Sequence, residues 1–127
     1  MNLEKVIFGF FIVLALTLNF GFFIGDIDNP EHHDVFELFV ALVVSLIATV
    51  LKFGDRTHIG AIFLATSLVA DLHLIMAAIF WGWAAHISAT GVTPDTIVMV
   101  VSLSGGALLA NFTSVILLIA ETMAVRR

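Results

Sequence analysis

The chain has 127 residues, of which 61% are hydrophobic and 12% charged, with a formal net charge of −5, a mean hydropathy of +1.13 and no cysteine. Soluble domains carry a charged fraction of about 25%, so this composition excludes an ordinary globular domain, and the acidic balance argues against nucleic acid as a partner. The absence of cysteine excludes disulfides and thiolate metal sites.

Four apolar segments account for the excess of hydrophobic residues: Val6–Ile24, Val35–Phe53, Ile59–Ala85 and Ile97–Ala120. Each has about the 20 residues that a helical membrane span needs. The expected fold is an all-α integral membrane protein of one four-helix domain, with helices over about 6–24, 30–53, 58–86 and 94–121 arranged as two hairpins. The first segment is longer than the apolar core of a signal peptide, and Phe20, Phe22 and Phe23 lead into Gly25-Asp26 without a small-residue cleavage site. It reads as a retained helix. The connections are short, and the expectation is almost nothing outside the bilayer.

The loop Gly25–Asp34 holds four acids and the pair His32-His33, and Glu37 follows one turn later. Such a surface attracts cations. His32 and His33 beside Glu31 and Asp34 are possible transition-metal ligands, but adjacent histidines diverge by about 100° on a helix, and a solvated loop is the better reading. Asn29-Pro30-Glu31 places an N-cap, a proline at N1 and an acid at N2, which predicts a second helix starting at residue 30. Along it, Asp34, Glu37, Ala41, Ser45, Ala48 and Lys52 form a narrow polar and small stripe bordered by Thr49. That stripe suits either a wall facing water or a surface packed on a neighbouring helix.

Gly54 is placed to end the second helix, with Asp55 or Thr57 capping the third. Asp71 and His73 lie in the middle of the third segment, the only titratable side chains deep inside any of the four. A carboxylate at mid-membrane costs about 3 kcal/mol on insertion scales, so its presence points to an ion path, a proton relay or a polar helix contact. Asp71 shares a face with Gly60, Ser67 and Ala78, whereas His73 points about 160° away with Thr66 and Ala77. The two therefore do not pair, and the helix must meet two polar environments. For His73 an interhelical contact to Asn19 or Asn111 is expected in preference to metal ligation, and for Asp71 the bland alternative is a neutral carboxyl bonded near Ser67. Trp81 and Trp83 fit an interfacial belt at the far end.

Thr93-Pro94-Asp95 starts the fourth helix by the same N-cap logic. Ser102, Gly106, Ala110 and Ser114 form a small-xxx-small series, and beside it run Ser104, Ala107, Asn111, Ser114 and Glu121. Two Val-Val-Ser-Leu strings, at 43–46 and 100–103, are too little to support an internal duplication.

All five basic residues, Lys5, Lys52, Arg56, Arg126 and Arg127, fall on one side of a four-span arrangement. The asymmetry predicts a plasma- or inner-membrane protein with both termini in the cytoplasm. A four-helix bundle has no natural lumen, which suggests a cyclic homo-oligomer around a shared path. The leading functional expectation is a small cation channel: Asp34 and Glu37 at an acidic vestibule, Asp71 at mid-depth, Ser45, Ser104 and Asn111 along the route, and Glu121 at the inner mouth. His73, His32 and His33 are candidates for proton handling or pH sensing. The expected partners are the bilayer, further copies of the chain and inorganic cations, with no cofactor. The alternatives are a proton-coupled transporter using Asp71 and His73, or a non-conducting subunit of a larger complex. No filter string, phosphate loop or nucleophile–base arrangement is present to indicate an enzyme.

Overall fold

A computed structural model describes residues 3–125, and Arg126 and Arg127 of the orientation argument lie outside the described residues. The chain forms four long helices, α1 (Leu3–Phe23), α2 (Val35–Lys52), α3 (His58–His86) and α4 (Pro94–Val125), with one 3₁₀ turn at Pro30–His32. All four are long and apolar enough to cross a membrane. Each consecutive pair packs together and α4 closes back on α1, giving an up-down-up-down bundle.

Only 28% to 33% of each span is buried inside the bundle. The remainder turns side chains such as Phe10, Phe36, Leu72, Ile79 and Leu109 outward. An apolar belt of that extent is unstable in water and natural in hydrocarbon. The protein is membrane-embedded.

The interior has two apolar layers. One, built on Phe22, Leu38, Leu74, Ile97 and Val100, lies toward the end carrying the acidic loop. The other, Phe8, Ile12, Ala48 and Phe63, lies toward the end carrying Lys5, Lys52 and Arg56. A layer of polar side chains separates them.

Capping residues set the helix starts. Asp34 accepts from the Phe36 amide at 2.9 Å, Thr57 from Gly60 at 3.0 Å and Thr93 from Thr96 at 3.2 Å. Each satisfies an amide that the first turn would otherwise leave unpaired. Gly54, at φ +91°, makes the left-handed turn after α2.

The second helix departs from the expected start at residue 30. Asn29 does accept from the Glu31 amide, at 3.0 Å, but it caps only a single 3₁₀ turn, and α2 begins at Val35. His33 is the reason. Its backbone is extended (φ −127°, ψ 112°) and its ring turns inward, with Nδ1 2.6 Å from the Phe22 carbonyl and Nε2 2.8 Å from the Asp26 carbonyl. A continuous helix would carry that ring away from the end of α1.

Candidate functional site: a carboxyl between two helices

Asp71 is 5% exposed and faces the interior of its own bundle. The Ser45 hydroxyl donates to its Oδ1 at 2.6 Å, and the Thr49 hydroxyl lies 2.5 Å from its Oδ2. Ser45 and Thr49 are one turn apart on α2, so they share a face by helical period alone and grip the two carboxyl oxygens from the same side. Thr49 Oγ1 also lies 3.0 Å from the Ser45 carbonyl. The small residues Ala41 and Ala48, both fully buried, continue that face and let α2 carry it inward. The polar stripe of α2 thus lines the bundle interior.

Other polar groups share this layer. Ser67, one turn before Asp71 on the same face of α3, is 1% exposed and its hydroxyl has no hydrogen-bond partner. Neither amide atom of Asn19 has a partner, nor does Nδ2 of Asn111, and both residues are at most 1% exposed. Thr66 bonded to Ser114 at 2.6 Å, and His73 packed on Gly106, fix the register of α3 against α4. That register sets Asn111 level with the stretch between Ser67 and Asp71. Lys5 paired with Glu121 and Phe23 packed on Gly105 fix α1 against α4, and Asn19 falls about a turn from Asn111 toward the acidic end. Farther that way, the half-buried Glu37 carboxyl lies over Gly21. Buried polar groups without partners are rare in native structures and call for a specific explanation; three such residues here share one interior layer with a carboxyl.

At the basic end the layer is closed. The Lys52 ammonium sits 4.1 Å from the ring centre of Phe8 and 5.3 Å from that of Phe63, with Asp55 at 3.5 Å. The rings stabilise the cation through their negative faces. Hydrogen bonds from the Thr57 hydroxyl and amide, assisted by Lys52, hold the Asp55 carboxyl below its ordinary value of 3.8 despite some burial. Beyond Lys52 an open polar cleft of about 430 Å³ is lined by Glu4, Lys5, Asp55 and Arg56 among others.

The expected site residues divide cleanly. Ser45, Asp71, Ser104 and Asn111 are buried in the bundle. Ser104 donates to the Val101 carbonyl of its own helix at 2.9 Å. Asp34 is exposed and occupied as the α2 cap. Glu121 is ion-paired with Lys5 at 2.7 Å. His73 lies on the other side of α3 as its spacing requires, but its partner is neither Asn19 nor Asn111. Its Nδ1 bonds to the Val69 carbonyl at 2.9 Å, and its ring fills the place that a side chain on Gly106 would take. His32 stays in the exposed loop, where its Nδ1 accepts from the Asp26 amide at 2.9 Å. His33 is 5% exposed, so the reading of both histidines as a solvated loop fails for it. With both ring nitrogens against carbonyl oxygens, His33 is also unable to ligate a metal as it stands, and no cluster of three candidate ligands occurs among the described residues.

Thr49 and Ser67 were not among the expected site residues. The signal that finds them is a hydroxyl one turn from another polar residue in an otherwise apolar helix: Ser45 with Thr49, and Ser67 with Asp71.

A family model described as a family of unknown function (DUF6394) matches residues 32–122, more than half of the chain. The chain belongs to that family. The matched region takes in α2, α3 and most of α4, and with them Ser45, Thr49, Ser67, Asp71 and Asn111; Asn19 on α1 lies before it. No curated protein and no solved structure matches the chain.

Proposed function

We propose that the protein translocates cations across a membrane through the interior of each four-helix subunit, with Asp71 as the ion-binding group. The observation that carries this reading is Asp71 itself: a carboxyl buried in a membrane bundle, gripped by two hydroxyls and level with three residues whose polar atoms lack partners. A group whose burial is so unfavourable in hydrocarbon is a functional site by default. Toward the acidic end the buried apolar layer of Phe22, Leu38, Leu74, Ile97 and Val100 closes the polar layer, with Glu37 beside it at Gly21. At the basic end Lys52 between Phe8 and Phe63 closes it, so translocation requires both closures to open in turn. Acidic loop residues Asp26, Asp28, Glu31 and Asp34 would concentrate cations at one mouth.

This route differs from one shared around an axis between copies, because Ser45, Asp71, Ser104 and Asn111 all face inward within one chain. In a cyclic homo-oligomer each copy would then hold its own path. Lys5, Lys52 and Arg56 at one end of the bundle support a cytoplasmic placement of both termini in a plasma or inner membrane. The protein acts without cofactor or enzymatic chemistry.

The test is ionic current or tracer flux from purified protein in planar bilayers or liposomes. Wild type should pass cations, and Asp71→Asn, checked for unchanged helicity and particle size, should pass them more slowly or with altered selectivity. Silent wild-type protein, folded and correctly inserted, would refute the reading.

A further inference from the structure

The hydrogen count around Asp71 is informative about which ion the site takes. Thr49 has one hydroxyl hydrogen but two acceptors within reach: the Ser45 carbonyl at 3.0 Å and Asp71 Oδ2 at 2.5 Å. If Asp71 is ionised, Thr49 must turn its hydrogen to the carboxylate, and the contact with the Ser45 carbonyl is then unmade. The carboxylate would have two hydroxyl donors and no positive charge beside it. If Asp71 is protonated, every contact is served at once. Oδ2–H donates to Thr49 Oγ1, the Thr49 hydroxyl donates to the Ser45 carbonyl, and the Ser45 hydroxyl donates to Oδ1.

The spacing opposes a metal cation. Hard cations hold oxygen ligands about 2.0–2.6 Å from the ion, which spreads neighbouring ligand oxygens to roughly 3 Å apart. Here the carboxyl oxygens touch the hydroxyls at 2.6 and 2.5 Å, and no ion fits between them. A metal cation seated between Asp71 and these two hydroxyls would require α2 and α3 to separate.

We infer that Asp71 is a proton-carrying site, loaded as the neutral acid, and that the ion translocated is H⁺. The inference rests on the translocation reading of the same site and names its substrate. On loading, an O–H bond of hydronium breaks, its proton bonds to Oδ2, water is left behind, and the Thr49 hydroxyl turns back to the Ser45 carbonyl. On release the Oδ2–H bond breaks, water takes the proton as hydronium, and the Thr49 hydroxyl turns to donate to Oδ2. The Ser45 carbonyl keeps its helical amide partner through the exchange. The unpartnered Ser67 hydroxyl and the amides of Asn111 and Asn19, level with Asp71 or within about two turns of it, are the groups that would hold that water.

The charged neighbours suit such a site. On α2 the next titratable group toward the basic end is Lys52, held away by Asp55 and two rings, and toward the acidic end it is Glu37. On α3, His73 faces α4 from the opposite side of the helix. α1 carries no titratable residue between Lys5 and its end, and α4 none between Asp95 and Glu121. The site is therefore insulated, and its occupancy follows access rather than a fixed counter-charge.

Two measurements on the purified full chain test this. In liposomes under a membrane potential, with a trapped pH dye, wild type should acidify the lumen without Na⁺ or K⁺ uptake, and Asp71→Asn should reduce the rate to that of empty vesicles. Infrared difference spectra should show the stretch of an un-ionised carboxyl in wild type that is missing in Asp71→Asn and shifted in Thr49→Val. Uptake of Na⁺ or K⁺ that depends on Asp71 would overturn the proton assignment and leave translocation standing. No flux of any ion would overturn translocation. Lack of the carboxyl band in folded protein at neutral pH would overturn the neutral-acid state whatever the flux, and the Thr49→Val band decides if Asp71→Asn fails to fold.

Discussion

Replacing Thr49 with valine removes one hydroxyl and keeps the shape of the side chain. It deletes the 2.5 Å contact with Asp71 and the 3.0 Å contact with the Ser45 carbonyl. A net intramolecular hydrogen bond contributes about 0.5–1.5 kcal/mol in soluble proteins, and interhelical bonds in membranes average about 0.6 kcal/mol with a maximum near 1.7. The Thr49 bond belongs near the top of that range, because it is short, engages a carboxyl and is fully enclosed. Thr49→Val should therefore cost about 1.5 kcal/mol. In an Asp71→Asn background the same change should cost clearly less, with a coupling of about 1 kcal/mol in a double-mutant cycle. The assay is reversible unfolding in mixed detergent micelles followed by helical circular dichroism. Additivity within about 0.3–0.5 kcal/mol, the scatter of independent sites, would refute the bond and the proton count built on it.

Other consequences follow from the packing. A methyl at Gly106 would meet His73 at 2.5 Å, so Gly106→Val should cost about 1–3 kcal/mol as overpacking and free the histidine from Val69. Gly82→Ala, where a methyl meets nothing within 4 Å, should be neutral or mildly stabilising in the same micelle unfolding assay. His33→Phe keeps a ring against Phe22 but removes the ring nitrogen from the Phe22 carbonyl, at about 1–3 kcal/mol for a buried acceptor left unpaired, while the Asp26 carbonyl keeps the Asn29 amide at 3.2 Å. Amide exchange over residues 24–34 should accelerate; unchanged exchange would contradict the anchoring role. Asp55 has its folded-state pKa depressed below 3.8, so its contribution is complete above that value and lost as pH falls through the folded one. Wild type should lose stability relative to Asp55→Asn over that acid range, and parallel pH profiles would contradict it.

The spans were legible because hydrocarbon imposes composition and length at once, and few alternatives satisfy both. The polar stripe of α2 and the opposed faces of Asp71 and His73 followed from helical period. What they face did not follow, because period fixes angles within one helix and not the register between two. Ser45 meets Asp71 only because α2 and α3 slide to one relative height, and that height depends on Phe8, Phe63 and Lys52 packing together at the basic end. The start of α2 lies later than its local start signal for a related reason. Asn29-Pro30-Glu31 is a sound local start signal, but the tertiary pull of His33 on the end of α1 interrupts the helix after one turn. Asp34 and Glu121 read as mouth residues from charge alone; that one also caps α2 and the other pairs with Lys5 depends on partners that charge does not reveal.

The central claim is that the route runs inside each bundle. The chain contains no cysteine, so single cysteines report cleanly on water access. Asn19→Cys and Asn111→Cys, both in the interior polar layer, should react with a small water-soluble thiosulfonate in proteoliposomes. Leu109→Cys, at a position 69% exposed on the outer surface of α4, should stay unreacted in lipid. Inert cysteines at both asparagines, in protein that still translocates ions, would contradict an internal path.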